Sequence, residues 1–272
     1  MPAWKWALLL LLSFILAFFM YGTCQMVGDL PHPLWAKSLA SIACAVAMIL
    51  LYALFVRWIE GQPAKDIPRR SLVPDTLTGM GIGFAFFVLV VVIMFIVDIY
   101  DIDDISCEHP MELVSAFCMF LAVGVGEEII FRGILFRWID EKWGFVAAMI
   151  VSALLFGFMH IFLPGATVWS SMAIAVEAGL LLGAAYKFSG TLWLPIGIHW
   201  AWNFTQGNIF GIEVSGNDAG ESLFKSIMKG PDILTGGAFG AEASIITFVL
   251  GLALSVWFII KVVQQRKNHI AQ

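Results

Sequence analysis

Residues 113–132 read LVSAFCMFLAVGVGEEIIFR, an apolar run of bilayer length that carries two adjacent carboxylates, Glu127 and Glu128, with Arg132 one turn further on. A membrane-crossing helix needs about 20 apolar residues. An ionisable side chain near its centre costs roughly 2.5–3.5 kcal/mol on insertion scales, so such residues mark function by default. The segment therefore reads as a spanning helix with a chemical task. Working outward, further apolar runs fall at about 6–21, 35–56, 77–97, 145–163, 168–186, 192–210 and 245–260, separated by Pro31 and Pro33, by 61–74, by the acidic stretch 98–110, by Pro164-Gly165 and by Ser189-Gly190. This pattern predicts an all-α polytopic membrane protein with about eight transmembrane helices. No small-x-small cleavage site follows 6–21, so that run reads as the first spanning helix and not as a signal peptide.

Composition agrees with the pattern. Of 272 residues, 60% are hydrophobic and only 13% charged, with a mean hydropathy of +0.90, whereas soluble domains carry about 25% charged residues. A net charge of −5 with 15 Lys plus Arg argues against a nucleic-acid partner. Cys24, Cys44, Cys107 and Cys118 form no Cys-x-x-Cys pair, which argues against a disulfide framework and a zinc knuckle. Alternating the loops across the bilayer puts twelve of the fifteen basic residues on one side, Lys5, Arg57, Arg132, Arg137 and Lys267 among them. Only Lys37, Lys225 and Lys229 share the other side with the acidic 98–108 segment. Positive loops face the cytoplasm, so a multi-pass cell-membrane protein with both termini cytoplasmic is expected. The chain divides into a three-helix region (1–110), a four-helix core (111–210) and a region of external loop, last helix and cytoplasmic tail (211–272).

The chemistry concentrates in the core. Glu128 and Arg132 share one helix face at i,i+4, a favourable ion-pair spacing, whereas Glu127 lies ~100° away around the helix and is available for other work as a general base. His160 ends the fifth run, and His199 shares a face with Asn203 one turn later. Carboxylate, imidazole and amide together are what hydrolysis uses to deprotonate water, orient it and hold an oxyanion. Two histidines and a glutamate are also a catalytic zinc set, although no His-Glu-x-x-His occurs. A transporter or proton relay would use the same residue types, against which stands the lack of an inverted repeat. A non-catalytic membrane partner that keeps the cluster for stability is a third reading.

Glu127-Glu128-x-x-Phe131-Arg132, then Phe156-x-x-x-His160, then His199-x-x-x-Asn203, resemble the motifs of the type II CAAX prenyl endopeptidase and bacteriocin-immunity (CPBP, or Abi) family of intramembrane proteases. The resemblance covers roughly residues 113–210, and the eight-helix count is similar to that family's. It implies a catalytic core over 111–210 and an endopeptidase acting on a membrane-associated protein or peptide within the bilayer. In that reading Glu127 activates water, His160 binds or orients it, His199 and Asn203 hold the oxyanion, and Glu128 with Arg132 support the site. Members have also been described as metalloproteases. A divalent metal such as zinc on Glu127, His160 and His199 therefore stays open, and no cofactor is demanded.

Three expectations concern geometry. Antiparallel helices joined near 140–144 would set residue ~155 level with Glu128 and leave His160 ~7 Å beyond it, so a tilt or kink is expected, with Gly124 and Gly126 as points of bending or close packing. Glu127, about one turn before the charged segment, predicts a cavity open to the cytoplasmic half of the bilayer. Glu177 reads as a protonated acid hydrogen-bonded between helices, and 98–108 as a solvated loop that lacks the spacing of a calcium site.

Overall fold

The computed structural model describes residues 33–270 and a few isolated positions before them, so the span expected at 6–21 lies outside the described residues. Seven long helices follow in order: α1 (Leu34–Glu60), α2 (Leu72–Ile96), α3 (Pro110–Trp143), α4 (Phe145–Phe162), α5 (Val168–Ser189), α6 (Trp193–Phe204, continued by Thr205–Ile209) and α7 (Ile245–Ile270). Six of them are long and apolar enough to cross a membrane. The exception is α6, shorter than the rest but buried along most of its length. The chain is an all-α polytopic membrane protein, with six spans by length and composition among the described residues; of the eight runs expected, 6–21 lies outside those residues and 192–210 corresponds to α6.

Local chemistry sets the helix ends. Thr167 caps α5 through a reciprocal capping box with Ser170, satisfying two amides that helical bonding leaves over. Gly61 and Gly190, both left-handed, close α1 and α5, a conformation glycine adopts without a Cβ penalty. Outward faces are apolar and exposed, as at Leu54, Leu77, Ile96 and Val146. Trp58 (93% exposed) and Trp143 stand at the ends of α1 and α3, where amphipathic rings suit a membrane interface.

The tightest crossing joins α2 and α6, which run alongside each other. A Cβ at Gly79 would run into the Leu194 carbonyl, one at Gly83 into the Ile198 carbonyl, and one at Gly197 into the Thr76 carbonyl. Small residues let backbones approach where lipid supplies no hydrophobic drive between helices. Gly124 does not play this part: a Cβ there would meet Trp200 N at 3.4 Å, an ordinary contact.

The acidic segment is not a plain loop. Tyr100–Ile105 (β1) pairs antiparallel with Phe224–Met228 (β2), Tyr100 opposite Met228 and Ile105 opposite Phe224, with an irregularity between Ile102 and Asp104. Asp101 is ion-paired with Lys229. At the other end of the bundle Asp66 ties elements together. Tyr52 donates to its Oδ2 at 2.6 Å and Tyr186 at 3.2 Å, while Leu192 N donates to its backbone carbonyl at 2.7 Å.

Candidate active site

Directly after Glu128, α3 widens into π-helical turns over Ile129–Phe136, all of it buried. Wide turns within α-helices favour functional sites, because they rotate side chains off the regular face and loosen the backbone ladder. A second such stretch, Ala175–Leu180, lies in α5. Arg132 joins the two. Its Nη1 donates to Glu128 Oε1 at 2.8 Å, its Nη2 lies 3.2 Å from each of the Ala178 and Gly179 carbonyls, and its Cζ stands 4.6 Å from the Phe156 ring centre. Both Glu128 and Arg132 have no exposed side-chain surface.

Arg132 is therefore buried within the bundle and does not belong among the loop charges, where its sequence position placed it. Carboxylate, backbone carbonyls and an aromatic face replace the water it gives up. The expected offset of His160 is also absent. The α3 helix runs unbroken to Trp143, and Gly144 alone (φ +86°) turns the chain into α4. Glu127 thus lies 16 residues before the end of α3 and His160 15 residues after the start of α4, ~24 and ~22 Å at 1.5 Å per residue. The two side chains are level without a compensating kink. The same count places Glu127 about four turns before the end of α3.

The imidazoles are oriented by their Nδ1 atoms. His160 Nδ1 lies 2.7 Å from the Phe156 carbonyl, which can only accept, so Nδ1 carries the proton and Nε2 turns to the site. His199 Nδ1 donates to Glu128 Oε1 at 3.0 Å, and its Nε2 stands 3.9 Å from Glu127 Oε2. Fixing one ring nitrogen to settle the role of the other is how proteins prepare a histidine for acid–base or ligand duty. Phe156 packs between the rings, 4.9 Å from His160 and 6.0 Å from His199 centre to centre.

Glu127 differs from its neighbour. Its side chain is 28% exposed, and its charge acts on His160, His199 and Arg132 alike. Asn203 is buried one turn beyond His199, and among the described residues no hydrogen bond joins it to Glu127, Glu128, His160 or His199. Nor, among the described residues, do three His, Cys, Asp or Glu side chains group to hold a metal ion. The Glu127, His160 and His199 donors as placed do not make such a cage.

Glu177 is fully buried at 0% exposure, but both its oxygens lack a hydrogen-bond partner among the described residues, contrary to the expected interhelical bond. It packs against Gly251 of α7, where a Cβ would collide with it. Its nearest charge is Glu242, a residue the sequence reading passed over. Glu242 precedes α7 in a small, glycine-rich stretch with no periodicity. Its one clue is an isolated acid among Ala, Gly and Phe.

A helical membrane bundle enclosing two carboxylates, an arginine and two oriented imidazoles defines a polytopic membrane protein with an interior acid–base site. Residues 109–205 match the family described as Type II CAAX prenyl endopeptidase Rce1-like. That segment holds all three motifs, and it is there that the chain is similar to the CAAX protease (CPBP) family, a family of peptidases. Comparison with curated proteins and with solved structures gave no match.

Proposed function

We propose that the chain is an intramembrane endopeptidase that hydrolyses a peptide bond of a membrane-associated substrate with a water activated by Glu127. The observation that carries this reading is the division of labour between adjacent carboxylates. Glu128 is occupied by Arg132 and His199, while Glu127 is partly open and faces His199 Nε2 across 3.9 Å. That separation is too long for a direct hydrogen bond and suits a molecule bonded to both groups.

In the reaction the Glu127 carboxylate takes a proton from water as the water oxygen bonds to the scissile carbonyl carbon. His160 Nε2 accepts the water's other proton as a hydrogen bond and fixes its direction of attack. The oxyanion is held by Asn203 and by His199, which in its doubly protonated form donates through Nδ1 to Glu128 and through Nε2 to the site. Glu127 then passes its proton to the amide nitrogen, the C–N bond breaks and the amine leaves. Oxyanion donors of this kind are worth ~10²–10³ in rate. No step runs through a metal. The basic-residue asymmetry supports cytoplasmic termini in a cell membrane.

The test is cleavage of a membrane-associated peptide library by the purified protein beside Glu127→Gln, each with and without a strong zinc chelator. Activity lost in the variant and kept with chelator is expected. Loss with chelator would replace the proposal with a metallopeptidase, and cleavage by the variant at the wild-type rate would remove Glu127 from the chemistry.

A further inference from the structure

Widening α3 over Ile129–Phe136 redirects its backbone bonds. In a regular helix an amide bonds four residues back, and in a π turn five. The Arg137 amide accordingly bonds to the Arg132 carbonyl and, as the stretch closes, to that of Ile134. It passes over the Gly133 carbonyl, which regular geometry would give it. Gly133 is buried, and a buried carbonyl that loses its helical amide needs another donor. Side chains supply it: Arg137 Nε donates to this carbonyl at 2.8 Å and Tyr52 Oη at 3.0 Å.

Tyr52 stands on α1 and is wholly buried. A Cβ at Gly133 would come within 2.9 Å of its ring, so glycine is what lets the hydroxyl reach the carbonyl. The one hydroxyl proton is shared between Gly133 O and Asp66 Oδ2, the latter at 2.6 Å, a three-centre arrangement common where helical bonding is interrupted. On the other side of Arg132 the pattern repeats, with Ser152 Oγ of α4 donating to the Phe131 carbonyl at 3.3 Å. Both residues that flank Arg132 are thus held by a hydroxyl from another helix. Arg132 in turn donates to Glu128 Oε1, which also accepts from His199 Nδ1. Direct bonds therefore run from the two hydroxyls, through the backbone and side chain of Arg132, to the carboxylate that orients His199. Neither hydroxyl meets a reacting group, and the mechanism above uses neither.

We propose that Tyr52 and Ser152 are positioning residues for the hydrolytic reaction: by taking up the Gly133 and Phe131 carbonyls they hold the widened turn of α3 in the one register that sets Arg132 against Glu128. This rests on the peptidase reading. Losing either hydroxyl lets the turn drift toward regular helix, which moves Arg132 and loosens the Glu128 contact to His199 while leaving the open face of the site unchanged. The effect belongs on kcat and not on KM.

The experiment measures kcat and KM for peptide cleavage by the full chain and by Tyr52→Phe, Ser152→Ala and Tyr186→Phe, with melting temperature in parallel. Tyr186→Phe is the control, because it takes a hydroxyl from the same Asp66 Oδ2 but from no carbonyl of the widened turn. Tyr52→Phe is expected to lose on the order of tenfold in kcat at unchanged KM, the size of one hydrogen bond. Ser152→Ala should fall in the same direction by a smaller factor, and Tyr186→Phe should keep the wild-type kcat even where it melts as early as Tyr52→Phe. Equal losses of kcat in Tyr52→Phe and Tyr186→Phe would reduce Tyr52 to a structural pin and overturn the proposal, as would a loss confined to KM. If Tyr52→Phe does not fold, Ser152→Ala decides, and an unmoved kcat overturns the proposal. A folded wild type with no cleavage would overturn the peptidase reading and this one together; an active wild type with an unaffected Tyr52→Phe would overturn this one alone.

Discussion

Breaking the Glu128–Arg132 pair from one side should destabilise the bundle far more than removing both charges. In Glu128→Gln the Arg132 guanidinium keeps the Ala178 and Gly179 carbonyls and the Phe156 face but loses the one carboxylate at hydrogen-bond distance among the described residues. With no exposed surface it cannot recover water. Uncompensated charges of this kind cost about 3–5 kcal/mol, which for a chain of this size lowers the melting temperature by roughly 10 °C. Arg132→Met should cost less, near the lower end of that range, because Glu128 keeps its bond from His199 Nδ1. The double variant buries no unpaired charge, so its loss should fall short of the sum of the single losses by at least about 1–2 kcal/mol. Tryptophan fluorescence melting of detergent-solubilised protein measures all four, and 11 Trp provide the signal. Additive losses would refute the claim that the two charges compensate each other inside the bundle.

Other outcomes follow from the same coordinates. Asp66→Ala strands the buried Tyr186 hydroxyl and leaves Tyr52 only its bond to the Gly133 carbonyl, and should cost about 1–3 kcal/mol for the one unsatisfied group, read as a fall in melting temperature. Gly79→Leu forces α2 away from the Leu194 carbonyl of α6 and should abolish the folded monomer in size-exclusion chromatography, whereas Gly81→Leu, with open space around it, should elute as wild type. Glu242 is protonated to a higher pH in the folded state (about 7) than in the unfolded chain (about 4.5), so the folded state binds more protons between these values. Stability should accordingly fall as pH rises from 4.5 to 7, by on the order of 3 kcal/mol, and melting scans of Glu242→Gln should lack this component.

What the sequence revealed of the site is what local geometry determines. The i,i+4 spacing of Glu128 and Arg132, the ~100° offset of Glu127 and the alignment of the three motifs follow from helix periodicity and order along the chain. The apolar runs located every long helix described, usually within a few residues. Features that depend on distant partners stayed hidden. Burial of Arg132 requires the π-widened turn of α5 to present the Ala178 and Gly179 carbonyls, and nothing in Ala175–Leu180 announces that widening. The glycines that bring α2 and α6 together are 79, 83 and 197, and Gly124 has only ordinary contacts, because approach is set by the helix on the other side. Glu242 is buried because residues 211–244, with glycines at positive φ, fold back onto the bundle. Strand β1 did carry a signal, the alternation in YDIDDI, but its partner lies more than a hundred residues later, and two strands alone are marginal.

The most direct test of the account is the rate of peptide cleavage by Glu127→Gln relative to wild type, with folding checked in parallel by melting temperature. Glu127 is partly exposed and takes no part in the Glu128–Arg132 pair, so the variant should melt within about 2 °C of wild type while losing at least ~10³ of the rate. A folded Glu127→Gln that cleaves at close to the wild-type rate would contradict the division of labour between Glu127 and Glu128 on which the mechanism stands.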